Sequence, residues 1–177
     1  VFAGCQPVAP SSPAPVPSFR CTPEAGGDEF DCTQAQHDQM LALDKLYTEA
    51  EEVYRRYFEE NSRIYRAGGL TEPTPVLLET TTGDFLDEAM AAYRAMKKDG
   101  QKVVGGEIKL VNVKRVPGQS TKGSLVSLDV CVDMSSTTVV SQSGSSAGFV
   151  GIEQTFFGRF DGVLKIHNSA WEELDSC

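Results

Sequence analysis

The hydrophobic pattern of this chain changes its period at Gly100. Before this residue, apolar side chains recur at three- and four-residue steps, a spacing typical of α-helices. After it, apolar and polar side chains alternate, a spacing typical of strands with one buried face. Because the helical segments all precede the strand segments, the pattern predicts an α+β domain with its helices packed on a curved antiparallel sheet.

The first predicted helix is long. It begins at a capping box formed by Thr33 and Gln36, in which each side chain bonds to the backbone amide of the other residue. We expect it to end at Gly68 and Gly69, because glycine readily adopts the left-handed conformation that closes many helices. Its inward-facing stripe comprises Met40, Leu43, Tyr47, Ala50, Tyr54, Tyr57, Asn61 and Ile64, and Leu46, Val53 and Tyr65 widen it. The spacing also fits a coiled coil, but we favour one helix lying across the sheet.

Shorter helices and a series of strands follow. Thr74 and Pro75 favour a short helical turn, because proline is preorganised for the first helical position. A further helix is predicted at 83–98. The predicted strands are 107–116, 125–134, 137–141, 149–160 and 163–171, with a loose segment at 141–148. Asp161 and Gly162 form a two-residue hairpin motif between the last two strands.

The first 20 residues differ from the rest of the chain. Phe2-Ala3-Gly4-Cys5 resembles the end of a bacterial lipobox, in which a signal peptide is cleaved before a cysteine that carries diacylglycerol. Five prolines follow, at positions 7, 10, 13, 15 and 17. Proline fixes φ and lacks an N–H, so this segment favours an extended, disordered tether. We therefore predict a lipobox remnant and tether at 1–20 and a single domain at 21–177. The alternative is an apolar tetrapeptide without this function.

The odd number of cysteines agrees with this prediction. The five cysteines are Cys5, Cys21, Cys32, Cys131 and Cys177. Lipidation of Cys5 leaves four, and disulfides among them would require an oxidising compartment. Cys21 and Cys32 flank a short glycine-rich acidic loop and are expected to pair. The cysteines therefore favour an extracytoplasmic protein on the outer face of the bacterial cytoplasmic membrane.

Charge and motifs exclude several functions. The formal net charge is −9, which argues against nucleic-acid binding, because phosphate contacts need a basic patch. There is no C-x-x-C motif, and neither His37 nor His167 has metal-ligand spacing from a cysteine, so we expect no metal and no cofactor. Neither a nucleophile elbow nor a phosphate loop is present. We expect both histidines to be ordinary surface or boundary residues, and no catalytic residue is predicted.

A family resemblance rests on the order of the elements over residues 33–177. A long helix, shorter helices and a curved antiparallel sheet together resemble the nuclear transport factor 2-like, or cystatin-like cone, superfamily. A sharper likeness, to a group of actinobacterial lipoproteins of this fold, is carried by Val130-Cys131-Val132-Asp133, Val139-Val140, Trp171 and Cys177. The resemblance implies a disulfide between Cys131 and Cys177. It implies fold and location, but no activity.

Cone folds often hold a pocket between the long helix and the sheet. Ketosteroid isomerases and dehydratases of this superfamily carry an acid/base pair there. Here, the predicted inward face of strand 149–160 comprises Val150, Ile152, Gln154 and Phe156, and it offers an amide but no carboxylate. The candidate pocket residues are Tyr54, Tyr57, Tyr93, Gln154 and Trp171. Apolar stripes at helical spacing more often form the protein core than a pocket. The alternative role of the three tyrosines is therefore core packing.

Three functions follow from these observations. The favoured one is a membrane-anchored, non-enzymatic lipoprotein that binds a small apolar ligand, or a cell-surface or membrane-protein partner. The second is an accessory subunit of a membrane complex or a prophage-type superinfection-exclusion lipoprotein, which exposed apolar surface without a cavity would favour. The third is a pocket isomerase or hydratase, which a buried Asp, Glu or His facing a cavity would favour.

Overall fold

The computed structural model describes residues 18–23, 26–121 and 123–177. Cys5 and most of the predicted tether lie outside these residues, so their roles stay predictions. The chain divides between Leu41 and Ala42 into two compact units. The predicted domain at 21–177 also stays a prediction.

Three helices and nine strands are present among the described residues. The helices are α1 Gln34–Ala67, α2 Pro75–Thr80 and α3 Gly83–Asp99. The strands are β1 Phe19–Cys21, β2 Phe30–Cys32, β3 Lys102–Gly105, β4 Lys109–Arg115, β5 Val126–Asp133, β6 Thr137–Ser141, β7 Gly144–Ala147, β8 Val150–Phe160 and β9 Val163–Leu174. The predicted α+β class, with one long helix and antiparallel strands, is confirmed.

The N-terminal unit is built on an antiparallel hairpin of β1 and β2. A disulfide joins Cys21 to Cys32, as predicted, and closes the hairpin. The capping box then begins α1: the Thr33 amide donates to Gln36 Oε1 at 2.9 Å, and the Gln36 amide donates to Thr33 Oγ1 at 3.3 Å. The local sequence therefore determines where the long helix starts.

Glycine closes the long helix α1. Gly68 and Gly69 follow α1 with φ of 81° and 80°, values in the left-handed region that other residues avoid. A Cβ on Gly69 would also lie 2.1 Å from the carbonyl oxygen of Tyr93, so glycine lets the end of α1 approach α3 closely.

The Leu77 amide donates to the side chain of Thr74, which confirms the predicted start of α2.

The strands of the second unit form two sheets, whereas one was predicted. Their orders are β3-β6-β7 and β4-β5-β8-β9, and all pairs are antiparallel. The predicted loose segment 141–148 contains β7, which pairs with β6. β7 consists of Gly144, two serines and Ala147, which lack the apolar alternation on which the prediction depended. β3 was missed as well, because it has only four residues.

The pairing register corrects the predicted inward face of β8. In β5, Val126, Leu128, Val130 and Val132 belong to the core, as predicted. Val130 lies opposite Glu153, and Leu128 lies opposite Thr155. Because directly opposed residues share a face, Glu153 and Thr155 point inward, whereas Gln154 does not. The apolar pattern misled because Phe156 and Phe157 lie on opposite faces and are both buried.

The second disulfide joins Cys131 in β5 to Cys177, with a Cα–Cα distance of 5.8 Å. This bond confirms the predicted pairing and fixes the C-terminus to the sheet. None of the described helices is long and apolar enough to span a membrane.

Candidate functional site

A cavity of about 280 Å³ lies between α1 and the four-stranded sheet. Its walls come from α1, β5, β8 and β9 and from the segments that precede β4 and β8. The lining residues are Tyr54, Tyr57, Phe58, Asn61, Tyr65, Ile108, Val132, Met134, Phe149, Glu153 and Trp171. Ligand pockets in proteins are about 300–1,000 Å³, so this cavity suits a small molecule.

The spacing of four residues along α1 explains why this helix forms one wall of the cavity. Tyr54, Tyr57, Asn61 and Tyr65 recur at three- and four-residue steps, which places them on one face of α1. Tyr54 and Tyr57 meet edge to face with ring centroids 5.8 Å apart. These tyrosines are the part of the predicted core stripe that faces the cavity.

The sheet wall is brought together by the strand register. Trp171 in β9 lies opposite Glu153 in β8, so both side chains are on the cavity face. The indole of Trp171 meets the ring of Phe149 edge to face, with centroids 5.5 Å apart. Trp171 keeps 47% of its surface exposed, which places it at the rim of the cavity.

Glu153 supplies the cavity with its single carboxyl group. The Tyr54 hydroxyl donates a hydrogen bond to Glu153 Oε2 at 2.9 Å. Desolvation raises the pKa of Glu153, and hydrogen bonds from Tyr54 and Ser169 only partly offset that effect. None of the described residues that line the cavity is lysine, arginine or histidine. The carboxyl group is therefore in contact with hydroxyl groups and aromatic rings, without a cationic partner in the cavity wall.

The tyrosines act as neutral hydrogen-bonding groups. Burial raises the pKa of Tyr54, Tyr57, Tyr65 and Tyr93, and the negative charge of Glu153 raises each further. Behind the cavity wall, the Tyr93 hydroxyl donates to Asn61 Oδ1 at 2.7 Å. The side chain of Asn61 also forms a hydrogen bond with Tyr65, so this amide connects two of the tyrosines.

The structure separates the five candidate pocket residues. Tyr54, Tyr57 and Trp171 line the cavity, whereas Tyr93 lies behind Asn61. Gln154 points to the other face of the sheet, where its amide donates to Asp129 Oδ1 at 2.9 Å and to Gln119 Oε1 at 2.7 Å. Gln154 therefore does not contribute to this cavity, because the predicted inward face of β8 was wrong.

The sequence prediction missed Glu153. The clear alternation of β5 and its antiparallel pairing with β8 were the only features that could have indicated it, and the register is not visible in the sequence. His167 is half-buried, and desolvation lowers its pKa, but it does not line the cavity. Among the described residues, no group of three or more His, Cys, Asp or Glu could hold a metal ion.

Comparisons with known proteins add little to this description. No protein-family model matches the chain, and no curated protein matches it. The chain is similar to the crystal structure of the intermembrane space region of the chloroplast protein ARC6, with a TM-score of 0.46 and 12% sequence identity. The match covers 71% of this chain and 95% of that chain. A likeness of this size carries no conclusion about function.

Proposed function

We propose that the protein is a non-enzymatic binding module that holds a small, largely apolar ligand in the cavity between α1 and the four-stranded sheet. The cavity itself is the observation that carries this proposal: aromatic rings form most of its wall, and a few polar groups converge on it. Binding sites for small molecules commonly combine these features. A cavity also favours this function over an accessory subunit or a superinfection-exclusion lipoprotein, for which we expected exposed apolar surface without one.

We also propose that Cys5 anchors the protein to the outer face of the bacterial cytoplasmic membrane through diacylglycerol. The lipobox-like sequence and the proline-rich segment support this location. The two disulfides support an oxidising compartment. Intact-mass measurement of protein from a Gram-positive host tests the anchor: the expected result is a diacylglycerol mass on the peptide that begins at Cys5, and unmodified Cys5 would contradict it.

The finer fold assignment is also a proposal. A long helix, two shorter helices and an antiparallel sheet that encloses a cavity support a nuclear transport factor 2-like cone. In such a fold the open end of the cone is the natural entrance for a ligand, and the half-exposed Trp171 fits that position. An experimental structure whose four-stranded sheet is flat would contradict the assignment.

A ligand titration tests the binding function. Trp171 is the single tryptophan of the chain and lies at the cavity rim, so its fluorescence reports occupancy. We would titrate a panel of small aromatic and aliphatic compounds that includes neutral, cationic and anionic members. At least one class is expected to change the emission saturably, and no response from any member at millimolar concentration would overturn the binding function.

A matched pair of variants locates the binding. Ile108→Phe places a larger side chain in the cavity wall and should weaken binding. Leu70→Phe is the control, because Leu70 is also half-buried and packs against the same core but does not line the cavity. Equal effects of the two variants would contradict binding in this cavity.

Glu153 favours one second candidate, a pocket isomerase or hydratase. A carboxyl group with a raised pKa that faces a cavity meets the condition set out above for a general base. Incubation with small ketones in D₂O tests this function: an isomerase would exchange the α-protons, and Glu153→Gln would abolish the exchange. Absence of exchange at all ketones tested would leave the binding module as the better account.

A further inference from the structure

The cavity wall is unusually rich in aromatic rings. Six of its eleven lining residues are aromatic: Tyr54, Tyr57, Phe58, Tyr65, Phe149 and Trp171. The face of each ring carries partial negative charge, which attracts a cation within about 6 Å of the ring centre. The rings come from α1, β9 and the segment before β8, so they approach the cavity from different sides. A bound group would therefore contact several rings at once.

The charges of the cavity wall also favour a cation. Within the part of the chain that the structure describes, Glu153 is the single acidic side chain of the wall and no basic side chain lines it. Its hydrogen-bond donors are hydroxyl groups, that of Tyr54 at 2.9 Å and that of Ser169. Hydrogen bonds from hydroxyl groups satisfy part of a carboxylate, but a desolvated charge is stabilised fully only by an opposite charge. The net charge of −9 attracts cations toward the molecule in general.

We infer that the ligand of this cavity is a small organic cation, an alkyl- or methyl-substituted ammonium group, seated among the aromatic rings with its charge facing Glu153. This inference rests on the proposed binding function and specifies its ligand class. An anionic ligand would be repelled by the carboxylate of Glu153. A neutral hydrocarbon would fill the volume but leave the carboxyl group with hydroxyl partners alone. A cationic ligand would interact favourably with both the ring faces and the carboxylate.

Binding should be coupled to ionisation of Glu153. The titratable groups that face it are Tyr54, Tyr57 and Tyr65 from α1 and Tyr93 from α3. All four have raised pKa values and stay neutral near pH 7, so Glu153 alone changes charge in the acidic range. Desolvation raises its pKa, whereas a bound cation favours the charged form. Cation affinity should therefore increase as the pH rises from about 4.5, the ordinary value for glutamate, through the raised pKa.

The experiment compares two ligands of nearly equal shape. Choline carries a trimethylammonium group, and 3,3-dimethylbutan-1-ol carries the neutral tert-butyl group of the same form. Both are titrated against the full chain by calorimetry and by Trp171 fluorescence. We expect choline to bind at least about tenfold more tightly, a difference of about 1.4 kcal/mol, because only the cation is attracted by the ring faces and by the carboxylate. Glycerophosphocholine is a third titrant, because it distinguishes a free cation from a lipid headgroup.

Two charge variants provide the matched comparison. Glu153→Gln keeps the shape of the side chain and removes its charge, and it should sharply reduce the preference for choline, leaving only the part that the ring faces contribute. Glu172→Gln removes the same charge from β9, but Glu172 is exposed and lies opposite Ile152 on the other face of the sheet. This control should retain the preference, and circular dichroism checks that both variants fold.

The outcomes separate this inference from the proposed function. A preference for choline that Glu153→Gln sharply reduces and Glu172→Gln does not would support it, whether or not glycerophosphocholine also binds. Equal affinity for both shapes, or a preference that Glu153→Gln leaves unchanged, would overturn a cation that faces Glu153 while leaving a binding cavity. Failure of choline, the alcohol and every member of the panel to bind would overturn both.

Discussion

The indole ring of Trp171 lies directly against the backbone of Gly151: a Cβ on Gly151 would come within 2.0 Å of Cζ2 of the ring. Gly151 lies in β8 opposite Val132, whose side chain lines the cavity. The missing side chain leaves the space that Trp171 fills. The position of the tryptophan at the cavity rim is therefore determined by a glycine on the neighbouring strand.

Gly151→Ala should displace Trp171 from the rim. The new methyl group cannot share space with the indole, and overpacking of this kind typically costs about 1–3 kcal/mol of unfolding free energy. We expect tryptophan emission to shift to longer wavelength and ligand binding to weaken. Fluorescence spectra and denaturant unfolding measure the two effects.

A double-mutant cycle identifies the cause of that loss. If the clash with the ring is responsible, Gly151→Ala should cost much less in a Trp171→Ala background, because the ring is then absent. Circular dichroism gives the unfolding free energies of all four proteins without a tryptophan reporter. Strictly additive losses would show that the alanine acts through the strand and not through Trp171.

Tyr54→Phe should raise the pKa of Glu153 further. The Tyr54 hydroxyl donates to the carboxylate at 2.9 Å, and this bond favours the charged form of Glu153 and lowers its pKa. Loss of the bond should also reduce stability by about 1 kcal/mol. A carbon-detected NMR titration of labelled glutamate carboxyl groups follows Glu153, which the Glu153→Gln spectrum assigns.

Tyr65→Phe is the matched control for that titration. Tyr65 lies on the same helix and lines the same cavity, but its removal leaves the hydrogen bond between Tyr54 and Glu153 in place. We expect a clearly smaller change in the Glu153 pKa than with Tyr54→Phe. A larger change with Tyr65→Phe would mean that a different hydroxyl group governs the carboxylate.

The contrast between Tyr54 and Glu153 shows how far sequence alone leads. Tyr54 could be identified because the helix between the capping box and Gly68 has an unbroken apolar stripe, and its spacing fixes which side chains face inward. Glu153 could not be identified in this way. β8 carries apolar side chains on both faces, and both Phe156 and Phe157 are buried. The number of apolar side chains on each face therefore does not show which face of the strand packs on the core.

The sheets show the same limit at a larger scale. The long strands β5 and β8 were predicted within a residue of their observed ends, whereas β9 extends three residues beyond its predicted end. The short strand β3 and the Gly/Ser-rich strand β7 were not, because their pairing with β6 depends on tertiary contacts and not on hydrophobic pattern. The division into two sheets follows from these strands, and it was missed with them.

Removal of the Cys131–Cys177 disulfide should cost more stability than removal of Cys21–Cys32. The first closes 46 residues of sequence and the second closes 11. The chain-entropy model then gives about 4 kcal/mol for the first bond and about 3 kcal/mol for the second. Denaturant unfolding of the two double-alanine variants under non-reducing conditions measures both losses. A larger loss at the short loop would contradict the entropic account.

The contribution of Glu153 to stability should fall as the pH rises above about 4.5. Desolvation raises the pKa of this group in the folded state above the value of 4.5 that it has when unfolded. Between these two pKa values, the folded chain keeps a proton that the unfolded chain has lost. The stabilising effect of that proton is complete below the unfolded pKa, and it disappears as the pH passes through the folded pKa.

Glu153→Gln should remove this decline, because glutamine does not titrate. The measurement is the unfolding free energy of the wild-type chain and the variant from pH 4 to pH 8. Relative to the variant, the wild type should have its highest unfolding free energy at the acidic end of this range. The difference should then shift steadily in favour of the variant as the pH rises. Glu172→Gln, which changes an exposed carboxylate outside the cavity, should follow the wild-type curve. If the Glu153→Gln and wild-type curves were parallel, the cavity would not raise the pKa of Glu153.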